Sequence, residues 1–221
     1  MTDITQLPLW EQIIYYYEAN GAYVFDQFFR HFLMAIYGVL FAAIFAIPLG
    51  FYLARNAKIA DWILAIANVI QTVPSLAMLS ILMLAVGLGP NLVVITVFIY
   101  SILPILRNTY IGVRNVDENI LDVGNGMGMT NWQLIYKVEL PLSMSVIMGG
   151  VRNAFIMGVG VATLGTFVGA SGLGDILQLG VNASDGASVI IAGVIPISVM
   201  AIIGDLFLTW IENKLDPTQN K

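Results

Sequence analysis

Val116-Asp-Glu-Asn-Ile-Leu-Asp-Val-Gly-Asn-Gly-Met-Gly-Met-Thr-Asn-Trp-Gln-Leu-Ile-Tyr-Lys-Val-Glu-Leu-Pro141 is the longest polar interval between two apolar stretches in this chain. Its local signals are specific. Asp117 suits an N-cap, because its carboxylate can accept from the free amides of a first helical turn. The spacing predicts a short helix from there to about Met127. Gly128 stands where the chain must turn sharply, and glycine tolerates a left-handed backbone. Thr130 and Gln133 have capping-box spacing, so a second helix is expected from about Asn131. Pro141 closes that helix or opens the next at its first turn, where a missing N–H matters little. The expectation is two short helices at an angle, with Met127, Met129 and Trp132 near the bend. An ordinary helical loop between two spans has the same pattern.

Everything around this interval is apolar. Hydrophobic residues make up 58% of the 221 residues and charged residues 10%, far from the balance of a soluble domain. That places the chain in a membrane. The absence of cysteine removes disulfides and thiolate metal sites. His31 is the only histidine, so no histidine-paired metal site is expected. No Walker A glycine loop is present, and the basic residues are too scattered for nucleic acid. The first 20 residues hold no Lys or Arg, so no cleavable signal peptide is expected. The net charge of −5 says little about orientation.

Working outward, residues 1–29 are polar and aromatic. Trp10, Ile13, Ile14 and Tyr17 recur at helical spacing, which suggests an amphipathic segment at a membrane–water boundary. Five spans follow, over residues 32–54, 59–88, 91–113, 142–169 and 188–211. The second carries Pro74 in its middle and reads as one span bent there, since either half alone is too short to cross. Residues 170–187 read as a second polar loop, with Gly172, Gly174, Asp175, Asn182 and Asp185. A charged end begins at Glu212. The domain division is therefore an N-terminal segment 1–29, a membrane domain 30–215 containing the loop 114–141, and a tail 216–221.

Arg55, Lys58, Arg114, Lys137, Lys214 and Lys221 all fall on the side of the organising loop, whereas the other side holds Arg30. The positive-inside rule then puts the loop and C-terminus in the cytoplasm and the N-terminus outside. A six-span alternative would carry the tail lysines outward. Arg107, Arg152 and Asp205 lie within spans, where charge needs a partner or a water path. Asp205 is expected to pair with Arg152 or Arg107. Asn68, Gln71, Thr72 and Ser75 share one helical face. With Ser101, Asn108, Thr163 and Thr166 they are candidates for a polar translocation path, set against ordinary interhelical hydrogen bonding. Gly165 and Gly169 have the spacing of a close helix–helix approach.

Asp122-Val123-Gly124, three residues, Gly128, nine residues, then Val138-Glu139-Leu140-Pro141 resembles the EAA loop of ABC-importer permeases. That loop reads Glu-Ala-Ala, three residues, Gly, nine residues, Ile-x-Leu-Pro. The wider strings Asn68–Ser75, Tyr100–Tyr110 and Gly169–Asp175 resemble the osmoprotectant branch, which imports glycine betaine, carnitine or choline. The likeness covers roughly Arg30 to Leu215. One departure is Asp122-Val123-Gly124-Asn125 where the family has Glu-Ala-Ala-Arg. Glycine is a poorer helix former than alanine by about 1 kcal/mol, so the first helix is expected to be less stable, or to be docked to a partner that stabilises it.

The resemblance implies an all-α, type I importer fold in the bacterial cytoplasmic membrane. It implies a second permease chain, identical or related, two cytoplasmic ATPase subunits that bind ATP and magnesium, and an extracytoplasmic binding protein. It assigns ATPase coupling to Asp122, Val123, Gly124, Met127, Gly128, Met129, Thr130, Trp132, Gln133, Lys137, Val138, Leu140 and Pro141. No catalytic residue, metal or cofactor is expected in this chain, whose surroundings would be membrane lipid and these partners. The rivals are a permease of the same design for methionine or another amino acid, and an ion-coupled carrier or channel.

Overall fold

The structure is a computed structural model that describes residues 7–184 and 186–215. Helices are joined by short turns, and there is no strand among the described residues. In chain order the helices are α1 Leu9–Ala54, α2 Ala57–Thr72, α3 Ser75–Val86, α4 Pro90–Arg114, α5 Glu118–Gly126, α6 Asn131–Leu134, α7 Leu140–Thr163, α8 Leu173–Asn182 and α9 Ala187–Leu215. A π-helical turn, Ile135–Glu139, joins α6 to α7, and a 3₁₀ turn, Leu164–Val168, follows α7. Four stretches are long and apolar enough to cross a membrane: Leu9–Ala54, Pro90–Arg114, Asn131–Val168 and Ala187–Leu215. The broken pair α2 and α3 brings the number to five when it is counted as one span. No sixth appears among the described residues.

Several boundaries differ from the expectation, each for a physical reason. The 1–29 segment does not end in a separate helix: α1 runs unbroken from Leu9 through the first span. Nothing near residue 30 stops it, and Asp26 and Arg30 form an i,i+4 pair at 2.7 Å across that point. The second span is broken, not merely bent. Val73 (φ −65°, ψ 127°) and Pro74 (φ −58°, ψ 136°) are both extended, because a residue before proline is pushed out of the α region. The polar loop 170–187 contains α8, whose Leu173 and Ile176 are buried. Asp185, residues 1–6 and the tail 216–221 lie outside the described residues. The chain turns between α3 and α4, with Gly87 at φ 82° and Gly89 at φ 115°.

The chain forms two compact units, and α1, α4, α7 and α9 each contribute a segment to both. The first takes α1 up to Gly38, α3, α4 up to Val97, and Met157–Ile203. Its centre is polar in part. His31 is fully buried, and its Nε2–H donates to the Val159 carbonyl at 3.0 Å. Gln27 Oε1 accepts from the Gly172 amide at 2.6 Å. A side chain at Gly174 would begin 2.0 Å from the Thr163 carbonyl oxygen, so α8 seats on α7 through bare backbone. Gly165 packs against Val93 and Ala170, while Gly169 takes a left-handed cap (φ 66°). The expected helix–helix approach through both glycines is therefore not formed on one helical face: α7 ends at Thr163, before either glycine, and Gly165 alone of the two packs closely.

The second unit takes the remainder of α1, α2 to Val73, Phe98–Ile156 and the chain from Gly204 onward. Phe51, Ala54, Val113 and Ile147 form its apolar cluster, with Ile135 and Leu140 packed against it. Gly150 lets α7 approach α4: a Cβ there would lie 2.7 Å from the Pro104 carbonyl oxygen. This unit carries the polar loop.

Candidate functional site

The loop folds as its local chemistry dictates. Asp117 Oδ1 accepts from the Asn119 amide at 2.9 Å and caps α5. Gly128 ends the first helix at φ 78° and donates to Asn125 O at 2.9 Å. The Met129 amide reaches back to Gly124 O at 3.1 Å. Thr130 then caps α6: its hydroxyl accepts from the Gln133 amide at 3.4 Å, and Gln133 Oε1 accepts from the Thr130 amide at 2.8 Å. Both orphan amides of the new helix are thereby satisfied.

Gly124 has a reason that helix propensity does not reveal. It is buried, and a Cβ there would lie 2.7 Å from Leu134 Cδ1 and 3.5 Å from Met129 Sδ. Leu134, itself buried, occupies that space. The glycine that weakens α5 in isolation is what lets α5 and α6 close on each other, which offsets the expected loss of stability.

With Leu134 turned inward, other apolar side chains face out. Val123, Met127, Trp132 and Tyr136 are all exposed, Trp132 at 80%. Asp122, Gln133 and Lys137 are exposed beside them, and Met129 and Thr130 line the bend. An apolar face on an otherwise polar segment marks a contact surface. Val138, Leu140 and Pro141 are partly buried where the loop re-enters the bundle. Pro141 stands in the first turn of α7, one of the two places expected for it. The helix passes through it by widening: the Leu140 amide bonds Ile135 O, five residues back. That wider turn gives the proline ring room and absorbs its missing N–H. A cavity of about 400 Å³ opens beside this turn, between Trp132 and Ile135 and the Pro48, Phe51 and Tyr52 side of α1.

The sequence reading missed one pair. Arg55, at the end of α1, donates from Nη2 to Glu139 Oε1 at 2.8 Å and Oε2 at 2.6 Å. Its Nη1 donates to Phe51 O at 2.9 Å. The Glu139 side chain is 7% exposed. Arg55 entered the reading only as an orientation charge and Glu139 only as the variable position of a motif. The available signal was that both stand at span ends on the same side.

The buried-charge expectation needs correction. Arg152 pairs with Glu212 at 3.4 Å and donates to Thr209 Oγ1 at 2.7 Å. Glu212 Oε1 accepts from Ser145 at 2.6 Å. Asp205 is engaged through its carbonyl, which accepts from Thr209, and Arg107 is exposed on α4. Glu212 was assigned to the charged end, but α9 continues to Leu215, so Glu212 is a buried helical residue.

The path candidates are not brought together as one stripe. The break at Val73–Pro74 places Asn68, Gln71 and Thr72 on α2 and Ser75 at the start of α3, ending the shared face. Gln71 Nε2 donates to Tyr100 O at 3.4 Å. Thr72 and Thr163 donate to carbonyls of their own helices, Val69 and Val159. Thr166 donates to Gln178 Oε1 at 2.6 Å. Asn108 packs against Gly150, and Ser101 is buried with its hydroxyl unmatched. Among the described residues no cluster of three or more His, Asp or Glu is placed to hold a metal. The loop's outer side carries an apolar face made of Val123, Met127, Trp132 and Tyr136.

Residues 46–217 match the family described as binding-protein-dependent transport system inner membrane component. The chain is 57% identical over 211 residues to the carnitine transport permease protein OpuCD of Listeria monocytogenes, covering 96% of this chain and 95% of that one. It is 51% identical to the glycine betaine/carnitine/choline transport system permease protein OpuCD of Bacillus subtilis, over 96% of this chain and 92% of that one. An inward-facing structure of the MetNI methionine ABC transporter has the same fold, with a TM-score of 0.74 at 19% identity, over 90% of this chain and 96% of that one.

Proposed function

Because the chain belongs to the family of binding-protein-dependent transport system inner membrane components, we propose that it carries quaternary-ammonium osmoprotectants across the membrane and is driven through the α5–α6 pair. It is a multi-pass permease subunit of an ABC transporter in the bacterial cytoplasmic membrane. The observation that carries the substrate class is the 57% identity to a carnitine permease along nearly the whole of both chains. Carnitine, choline and glycine betaine share a trimethylammonium head, which suits aromatic faces because its nitrogen has no proton to donate.

In this reading, ATP is hydrolysed in separate cytoplasmic subunits, one on each of two permease chains. Closure of those subunits pulls on Val123, Met127 and Trp132. Because α6 runs without interruption into α7, the pull passes directly into a span and rocks the bundle between two openings. A binding protein on the opposite side supplies the substrate and most of the selectivity. The polar residues Gln71, Ser101, Asn108 and Thr166 remain the candidates for the path.

Cells that lack other osmoprotectant uptake, given this chain with its ATPase and binding protein, should accumulate labelled carnitine, choline or glycine betaine at high salinity. An inactivated ATPase should abolish that uptake. Uptake that survives ATPase inactivation and collapses with the ion gradient would overturn the reading. So would a binding protein that takes methionine and none of the three.

A further inference from the structure

The coupling loop joins the bundle covalently at both ends, to α4 through residues 115–117 and to α7 through the π turn. A side-chain attachment is added by the Arg55–Glu139 pair, which ties the end of α1 to the last residue of the π turn. We propose that this pair is a transmission joint that makes α1 move with the coupling helices, a role that rests on the functional reading above.

The geometry favours a joint that stays closed. Nη2 of Arg55 serves both carboxylate oxygens, and Nη1 is fixed on Phe51 O. The Glu139 carbonyl accepts from Ser143 Oγ at 2.6 Å, so the acidic residue is held from both ends. Phe51, Ile135 and Leu140 line the adjoining cavity together with Arg55, and the Glu139 side chain is 7% exposed where that of Arg55 is 39%. Separating the charges there would leave a buried carboxylate without a partner, which is far more costly than separating an exposed pair. Motion of the π turn is therefore passed to α1 and not absorbed between them. An apolar pair of equal volume would hold two helices together as well or better. What the ion pair adds is a fixed geometry at the point where the loop becomes a span. The cavity of about 400 Å³ beside it, bounded by Arg55 and Trp132, gives the coupling helices room to rock about that point. The turn itself is π-helical, a form that recurs at functional sites.

The test uses the whole transporter in proteoliposomes, with carnitine as the probe and carnitine moved per ATP hydrolysed as the readout. Glu139→Gln keeps the shape and a weaker hydrogen bond but removes the charge. It should lower the ratio by about fivefold or more, the lower end of a working coupling between sites, with uptake falling further than hydrolysis. Arg55→Lys, which keeps the charge but loses the planar fork and the Nη1 bond to Phe51 O, should lower the ratio less than Glu139→Gln does, and the Arg55→Glu/Glu139→Arg exchange should recover part of what either single change loses. Uptake and hydrolysis that fall in parallel, at an unchanged ratio, would reduce the pair to a structural strut and overturn the proposal. If Glu139→Gln fails to assemble, an exchange variant no better than Arg55→Glu alone overturns it equally. Failure of the functional reading is distinguishable, because it would silence the wild type as well.

Discussion

Gly126 and Gly128 are two residues apart, and substitution by alanine should act in opposite directions. Neither glycine has a heavy atom within 4 Å of where a Cβ would stand, so collisions play no part. Gly126 closes the last turn of α5 with a helical backbone. Alanine there gains up to about 1 kcal/mol of helix propensity. Gly128 sits at φ 78°, where an L-residue costs about 1–2 kcal/mol. Gly128→Ala must either carry that strain or leave the left-handed region, and leaving it swings α6 away from α5. Either outcome lowers the population of the bent pair by about 5- to 30-fold. Asparagine tolerates the left-handed region better than alanine, and valine is worse than either. The expected order of ATPase affinity is therefore Gly126→Ala at or above wild type, then wild type, Gly128→Asn, Gly128→Ala and Gly128→Val. The assay is titration of the purified ATPase subunit against the permease in nanodiscs. Equal affinity for all the Gly128 variants, or a loss at Gly126→Ala as large as at Gly128→Ala, would refute the claim that backbone handedness sets the bend.

Trp132→Ala should leave the spans intact, since the ring is exposed, yet weaken ATPase capture by about 2 kcal/mol if it is an interface anchor; the same titration measures it. Glu212→Ala should destabilise the detergent-solubilised protein by about 2 kcal/mol, the value of a hydrogen bond to a charged group, through loss of Ser145 and Arg152. Asp205→Ala should do less, because the bond it makes is through its carbonyl; thermal shift compares them. Gly174→Ala should prevent accumulation of folded protein, as its Cβ would overlap the Thr163 carbonyl, while Gly160→Ala, with open space around it, should be neutral. Quantified expression of fluorescently tagged variants separates the two.

The loop was legible because each of its signals is complete within a few residues. Thr130 and Gln133 need only each other, Asp117 needs only the amide of Asn119, and Gly128 needs only its own φ. The spans were legible from unbroken apolar runs. What stayed hidden depends on a partner far along the chain. Arg55 and Glu139 are 84 positions apart, and a charge at a span end looks the same whether it faces water or another helix. Gly124 looked like a weakness until Leu134 was seen in its place, and the glycines that made 170–187 read as a loop are there to seat a helix.

Glu212 and the start of α1 share a different cause. In both places polarity was taken as the end of a helix, but polarity ends a span, not a helix. A helix stops where backbone chemistry stops it, at Val73–Pro74, Gly87 or Gly169. Near residue 30 there is no such stop, so α1 carries its polar-aromatic N-terminal turns and its apolar run in one continuous helix. In α9 the same continuity brings Glu212 back against Ser145 and Arg152 of α7. The two buried acidic partners, Glu139 and Glu212, thus sit on helices that outrun their apolar segments. Each meets an arginine that keeps part of its surface open, 39% for Arg55 and 30% for Arg152, so the acid is buried while its base stays partly solvated.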